Sequence, residues 1–155
     1  MTDARSPARL ASPGDTATLA RMLVDFNAEY DEETPSLEVL ESRLGTLLRT
    51  DRFWAALAGD PPVAFATVTE RDSPYYEGRV GYLEDLYVRP ELRGQGIGGD
   101  IMRLLLDEAR RRALGLVEIG VDEPDVDAMR FYESHGFIHR DPETGDRAFH
   151  IYQEF

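Results

Sequence analysis

Residues 88–99 read Val88-Arg89-Pro90-Glu91-Leu92-Arg93-Gly94-Gln95-Gly96-Ile97-Gly98-Gly99. A run rich in aromatic and β-branched residues ends at Val88, four glycines fall within six residues, and a helical apolar pattern starts at Ile97. The order is strand, glycine-dense turn, long helix. Closely spaced glycines let main-chain N–H groups converge without Cβ obstruction, and the helix start adds the positive end of its dipole. Such a turn suits a phosphate or pyrophosphate. The local charge agrees: six Arg and four acids lie between Arg89 and Arg112, in a chain whose net charge is −13.

Other readings of the turn are weaker. A plain flexible turn would use glycine only to cap strand and helix. A P-loop must end in Gly-Lys-Ser/Thr, and all 17 cations of this chain are Arg. Gly94, Gly96 and Gly99 spell the dinucleotide fingerprint, with acids downstream at Glu118 and Asp122. Yet Arg89–Arg93 separates the strand from the first glycine, and too little chain follows for a second βαβ half.

Outward from the turn, the upstream residues read as a short strand at 6–10, a helix from Thr16 or Thr18 to about Tyr30, and a second helix after Ser36 with Leu37, Leu40, Leu44, Leu47 and Leu48 as its stripe. Phe53–Ala58 and Val63–Glu70 read as a hairpin around Gly59-Asp60-Pro61-Pro62, and Val80–Val88 as the next strand. Downstream come a helix over 97–114 stopped by Gly115, a strand over Leu116–Val121, a short helix from about Asp125 to His135, and a closing strand pair at Phe137–His139 and Ala148–Glu154. The sum is α+β in one domain over residues 1–155.

Composition narrows the function. The 155 residues, 42% hydrophobic and 30% charged, suffice for a buried core. No apolar run approaches the ~20 residues of a membrane span, and MTDARSPARL lacks the apolar core of a secretion signal, so a cytoplasmic protein is expected. Zero Cys excludes disulfides, thiolate metal sites and a Cys nucleophile; zero Lys excludes a Schiff base. The acidic balance disfavours nucleic acid and favours a cationic partner such as an amine. His135 and His139 are four apart, but Gly136 ends the helix between them, so no metal is expected.

Arg93-x-x-Gly96-x-Gly98, after a strand ending Leu86-Tyr87-Val88-x-Pro90, resembles the acyl-CoA loop of the GNAT superfamily of N-acetyltransferases. Ala128-x-x-x-Tyr132-x-x-x-Gly136-Phe137 matches that family's second motif in register, so the likeness spans nearly the whole chain. Tyr82-Leu83-Glu84-Asp85-Leu86-Tyr87-Val88 is locally similar to the spermidine/spermine (diamine) acetyltransferases. The resemblance implies a mixed central sheet of about seven strands, splayed at the cofactor cleft and flanked by about four helices. It implies acetyl-CoA as cosubstrate: pantetheine along the backbone of Leu86, Tyr87 and Val88 like an added strand, and pyrophosphate on the N–H groups of Arg93, Gly94, Gln95, Gly96, Ile97 and Gly98, with Gly99 beside them. Asp125 stands where the family usually has an Asn that bonds the pantetheine arm; Asp keeps the acceptor and loses the donor.

Direct transfer to a primary amine needs a base, an oxyanion donor and an acid for the departing thiolate. Under the resemblance Glu84 is the base, acting through water, with Asp85 in reserve; Tyr132 is the acid; the N–H of Leu86 or Tyr87 polarises the carbonyl. Strand alternation puts Glu84 and Asp85 on opposite faces unless a bulge intervenes. Asp25, Glu29, Asp31, Glu32, Glu33, Glu38 and Glu41 crowd the first two helices, where an acidic roof would attract a polyamine, an aminoglycoside or a peptide amine, although a solvated face explains most of them. Tyr30, Tyr75 and Tyr76 fit either a cleft lining or ordinary loop aromatics. A homodimer is family habit. The alternative from another class is a catalytically silent acyl-CoA-binding sensor.

Overall fold

The computed structural model describes residues 7–155; Ser6 of the expected first strand and the first six residues of the opening segment lie outside the described residues. The elements are β1 (Arg9–Leu10), α1 (Thr16–Glu29), α2 (Leu37–Leu47), β2 (Phe53–Ala58), β3 (Ala64–Arg71), β4 (Val80–Val88), α3 (Ile97–Arg111), β5 (Leu116–Glu118) and α4 (Val126–Ser134). The strands form one mixed sheet in the order β1-β2-β3-β4-β5, antiparallel except for the parallel pair β4–β5. The chain divides into two compact units, the first ending at Glu118 and the second running Ile119–Phe155.

In the first unit all six residues of β2 are buried, because both sheet faces are covered. Cross-strand pairs Ala55↔Thr67 and Leu57↔Phe65 sit on the face covered by α1 and α2, in one core with Leu19, Met22, Leu44 and Tyr87. The opposite face has Ala56↔Ala66 and Ala58↔Ala64 as a floor of small side chains. On it α3 packs close, with Ile101, Met102 and Leu105 fully buried. Each such side chain contributes about 1.5–3 kcal/mol.

A polar clamp closes one end of this sheet. The Glu70 side chain, 2% exposed, accepts from Trp54 Nε1 at 2.8 Å, Arg112 Nη1 at 3.2 Å and Arg79 Nη1 at 3.3 Å. Arg112 also lies 5.2 Å over the Trp54 ring and reaches Glu108 at 2.7 Å. Three hydrogen bonds and two cations compensate the buried carboxylate.

Several expectations need correction. Five strands form among the described residues, not seven. The strand at Leu116 ends at Glu118, short of Val121. Phe137–His139 and Ala148–Glu154 make no strand pair, only a single bridge Arg140↔Arg147. Ile138, Phe149, Ile151 and Tyr152 there are 75%, 73%, 89% and 74% exposed, so no buried face fixes a register. In α2, Leu44 is buried while Leu37 and Leu47 are exposed. The long helix stops at Arg111 through Ala113 in the left-handed region (φ 55°), with Leu114 N–H bonded to Ala109 O at 2.9 Å. Gly115 has a different duty: a Cβ there would lie 2.6 Å from the Tyr76 ring.

Candidate active site

β4 carries both candidate acids. Thr67 pairs with Asp85 and Val68 with Leu83, so Glu84 is the extra residue of a β-bulge. Beyond the bulge the register resumes with Leu86 opposite Ala66 and Tyr87 opposite Phe65. The inserted residue turns Glu84 to the face of Asp85 and Tyr82, the side covered by α1 and α2. Alternation predicted opposite faces, and the bulge overrides it.

Two threonines of β3 meet these acids. Thr67 Oγ1 donates to Asp85 Oδ2 at 2.8 Å, and Thr69 hydrogen-bonds Glu84. Glu84 is exposed as a residue, yet surrounding protein desolvates its carboxyl and raises its pKa; Thr69 opposes the rise and the charge of Asp85 adds to it. Asp85 is more deeply placed, and burial raises its pKa against the Thr67 hydrogen bond. A carboxyl with a raised pKa is the better proton acceptor once ionised.

The outer edge of β4 is open. Pairing with β5 covers only Val80↔Leu116, Gly81↔Val117 and Tyr82↔Glu118, so among the described residues Leu83–Val88 have no strand partner on that side. Arg89 N–H bonds Val63 O at 3.0 Å, which fixes the alternation of the ladder. Tyr87 therefore turns its N–H and C=O toward β3, while Leu86 and Val88 turn theirs to the open edge. Of the two backbone donors expected from the sequence, Leu86 is the one that faces outward.

After Val88 a 3₁₀ turn over Pro90–Leu92 leads into the glycines. Gly94 (φ 74°) and Gly96 (φ 88°) adopt the left-handed region, and a Cβ at either would meet nothing within 4 Å. Glycine is needed here for conformation, not for room. The first backbone bond of α3 runs from Asp100 N–H to Gly96 O at 3.1 Å, so the amides of Ile97, Gly98 and Gly99 ahead of it have no partner within the helix. Gln95 lies between the two left-handed glycines. Arg93 is placed differently: its N–H goes to Pro90 O at 3.3 Å, and its guanidinium turns to Val88 O and Glu29.

In the second unit, Asp125 caps α4, its Oδ1 accepting from Ala128 N–H at 3.0 Å. An N-cap role explains why Asp serves there, a role the sequence motif did not reveal. Tyr132 is buried, its ring edge-on to Phe131 at 5.3 Å and Phe137 at 5.7 Å. His139 pairs with Glu133 at 2.8 Å and His135 lies against Phe131, and no group of three metal-binding side chains forms among the described residues. Tyr30, Tyr75 and Tyr76 are exposed, Tyr76 against Gly115. No helix among the described residues is long and apolar enough to cross a membrane.

A bulged strand with two acids, an open edge beside it and a helix opened by glycine amides together define an acyl-transfer fold. The sequence profile of the Acetyltransferase (GNAT) family matches residues 18–137, and the chain belongs to that family. It is an acyltransferase of the N-acetyltransferase class. The chain is 29% identical over 148 residues to thialysine N-epsilon-acetyltransferase of Bos taurus, covering 83% of this chain and 81% of that one. It is 30% identical over 99 residues to peptidyl-lysine N-acetyltransferase YjaB of Salmonella typhimurium, covering 63% of this chain and 58% of that one. The crystal structure of an acetyltransferase candidate from Arthrobacter sp. FB24 superposes with a TM-score of 0.90 at 40% identity, over 96% of this chain and 95% of that one.

Proposed function

We propose that the chain transfers an acetyl group from acetyl-CoA to a primary amine, a small amine or polyamine or a peptide amine, with both units belonging to one domain over residues 1–155. The open edge of β4 beside the glycine-opened helix carries this reading, because one offers strand-like bonds to pantetheine and the other offers amides to a diphosphate. When bound, acetyl-CoA supplies an activated thioester carbonyl.

The chain's own groups then divide the work. Glu84 takes the amine proton, directly or through water, as the amine nitrogen bonds to the carbonyl carbon. Leu86 N–H stabilises the negative charge that builds on the thioester oxygen. Tyr132 gives its hydroxyl proton to the departing thiolate as the carbon–sulfur bond breaks. Gly94, Gln95, Gly96, Ile97, Gly98 and Gly99 hold the diphosphate through the main chain, and Leu86 and Val88 hold the pantetheine arm. Asp125 keeps the start of α4 in place.

The thialysine and peptidyl-lysine activities of the two named relatives favour an amine on a flexible, cationic chain. The exposed acids Asp25, Asp31, Glu32 and Glu33 favour the same charge. A cytoplasmic homodimer completes the proposal, and light scattering in solution tests the dimer. The main test is thiol release from acetyl-CoA over a panel of amines. Release with a polyamine or lysine-type amine is expected; CoA binding with no release by any amine would instead make the chain a sensor.

A further inference from the structure

Arg93 opens the motif that implies diphosphate binding, but its donors are committed elsewhere. Nε donates to Val88 O at 2.9 Å, Nη1 to Glu29 Oε1 at 2.7 Å and Nη2 to Glu29 Oε2 at 2.6 Å. The guanidinium carbon lies 5.7 Å from the centre of the Tyr87 ring, and the backbone N–H closes the 3₁₀ turn on Pro90 O. The fork is thus filled by a bidentate carboxylate on one side and a strand carbonyl on the other.

The partners are informative. Val88 O is the last acceptor on the open edge of β4. Glu29 is the final residue of α1, and the side chains of Arg93 and Glu29 are 43% and 28% exposed, so the pair lies at the surface. Arg93 stands directly before the two left-handed glycines, whose amides gain no orientation from side chains of their own. One guanidinium therefore fastens three things: the end of the helix that covers the acid-bearing face, the tip of the cofactor-facing strand, and the start of the glycine turn.

We infer that Glu29 is a positioning residue for diphosphate binding: it holds Arg93 away from the phosphates as a brace, so that the glycine turn presents its amides and not a guanidinium. This deepens the proposed function and rests on it. The brace uses the planar fork, in which three separate nitrogens reach Val88 O and the two Glu29 oxygens, whereas a lysine offers a single nitrogen.

A double-mutant cycle tests the brace. Calorimetry with CoA on the wild type, Glu29→Gln, Arg93→Gln and the double variant is expected to show each single change weakening CoA by roughly twofold to fivefold, with the double no weaker than the worse single. Steady-state kinetics give the second readout. In Glu29→Gln, KM for acetyl-CoA should rise by the same factor with kcat held, while kcat/KM for S-acetylpantetheine, which lacks the diphosphate, should not move, because the Arg93–Val88 bond is kept. Unchanged or tighter CoA binding in Glu29→Gln beside weaker binding in Arg93→Gln would overturn the brace and make Arg93 a direct phosphate ligand. Additive losses, or equal losses with both acetyl donors in Glu29→Gln, would overturn it as well. Failure of the wild type to bind CoA sinks the proposed function itself and is seen before any variant is made.

Discussion

Glu84 and Asp85 are adjacent in sequence and face the same side of the sheet. Thr67 pairs with Asp85 and Val68 with Leu83, which leaves Glu84 as the bulged residue between them. Two acids that would have been split across a sheet are gathered under the two N-terminal helices, each with its own threonine donor. The strand thereby presents two neighbouring carboxyls, and the charge of Asp85 adds to the raised pKa of Glu84.

Kinetics should resolve the two acids. Burial raises the pKa of Glu84, and the charge of Asp85 adds to the rise. As a base Glu84 works ionised, so kcat/KM should climb with pH through that raised pKa. Glu84→Gln should cost about 100-fold in kcat and flatten the acidic limb. Asp85→Asn should keep turnover and move the limb to lower pH. An unshifted limb in both variants would assign the base to solvent.

Stability should respond with the opposite sign from a salt-bridged acid. Both carboxyls have folded pKa values above their ordinary ones, chiefly through burial. The folded state then binds more protons than the unfolded state, and stability falls as pH rises from the usual carboxylate range through the raised values. Asp85→Asn retains an acceptor for Thr67 and removes the buried charge. Thermal melting should give it a higher Tm than the wild type at pH 7, with the gap closing in acid.

Gly96 and Gly99 should respond oppositely to alanine. Gly96 has φ 88°, so Gly96→Ala is expected to cost about 1–2 kcal/mol through the backbone alone and to weaken CoA binding. Gly99 lies within α3, where a Cβ meets only Arg103 Nη1 at 3.7 Å. Gly99→Ala should stabilise by about 0.5–1 kcal/mol in urea titration.

Tyr132→Phe keeps the ring between Phe131 and Phe137 and removes only the hydroxyl. Turnover should fall by roughly 10–100-fold with CoA affinity retained. A drop in affinity with unchanged kcat would reassign the tyrosine to cofactor packing.

Glu70→Leu should destabilise by about 3 kcal/mol, because it strands the Trp54 N–H and the two arginines around a site built for a carboxylate. Urea titration measures this directly.

Much of the fold was legible because its signals are local. Phe53–Ala58, Val80–Val88 and the Ser36 cap stand where residue type and period placed them, and Ser36 Oγ accepts from Val39 N–H at 3.3 Å. The glycine turn was legible for the same reason, through positive φ at Gly94 and Gly96. What escaped depends on distant partners. The bulge arises from a register set by β3, and the hold on Arg93 comes from a residue 64 positions away. The capping duty of Asp125 was hidden behind a motif position read for ligand contact. The closing strand pair failed because alternation alone does not make a strand when no face is buried.

The clamp around Glu70 has a practical corollary. Trp54 is the single tryptophan of the chain, buried and bonded at its indole nitrogen to a carboxylate, beneath a guanidinium. The first unit holds that one tryptophan, and Ile119–Phe155 holds none. Its emission, selected by excitation at the red edge of the indole band, therefore watches the sheet and its covering helix come apart, and circular dichroism reports the helix of the second unit as well.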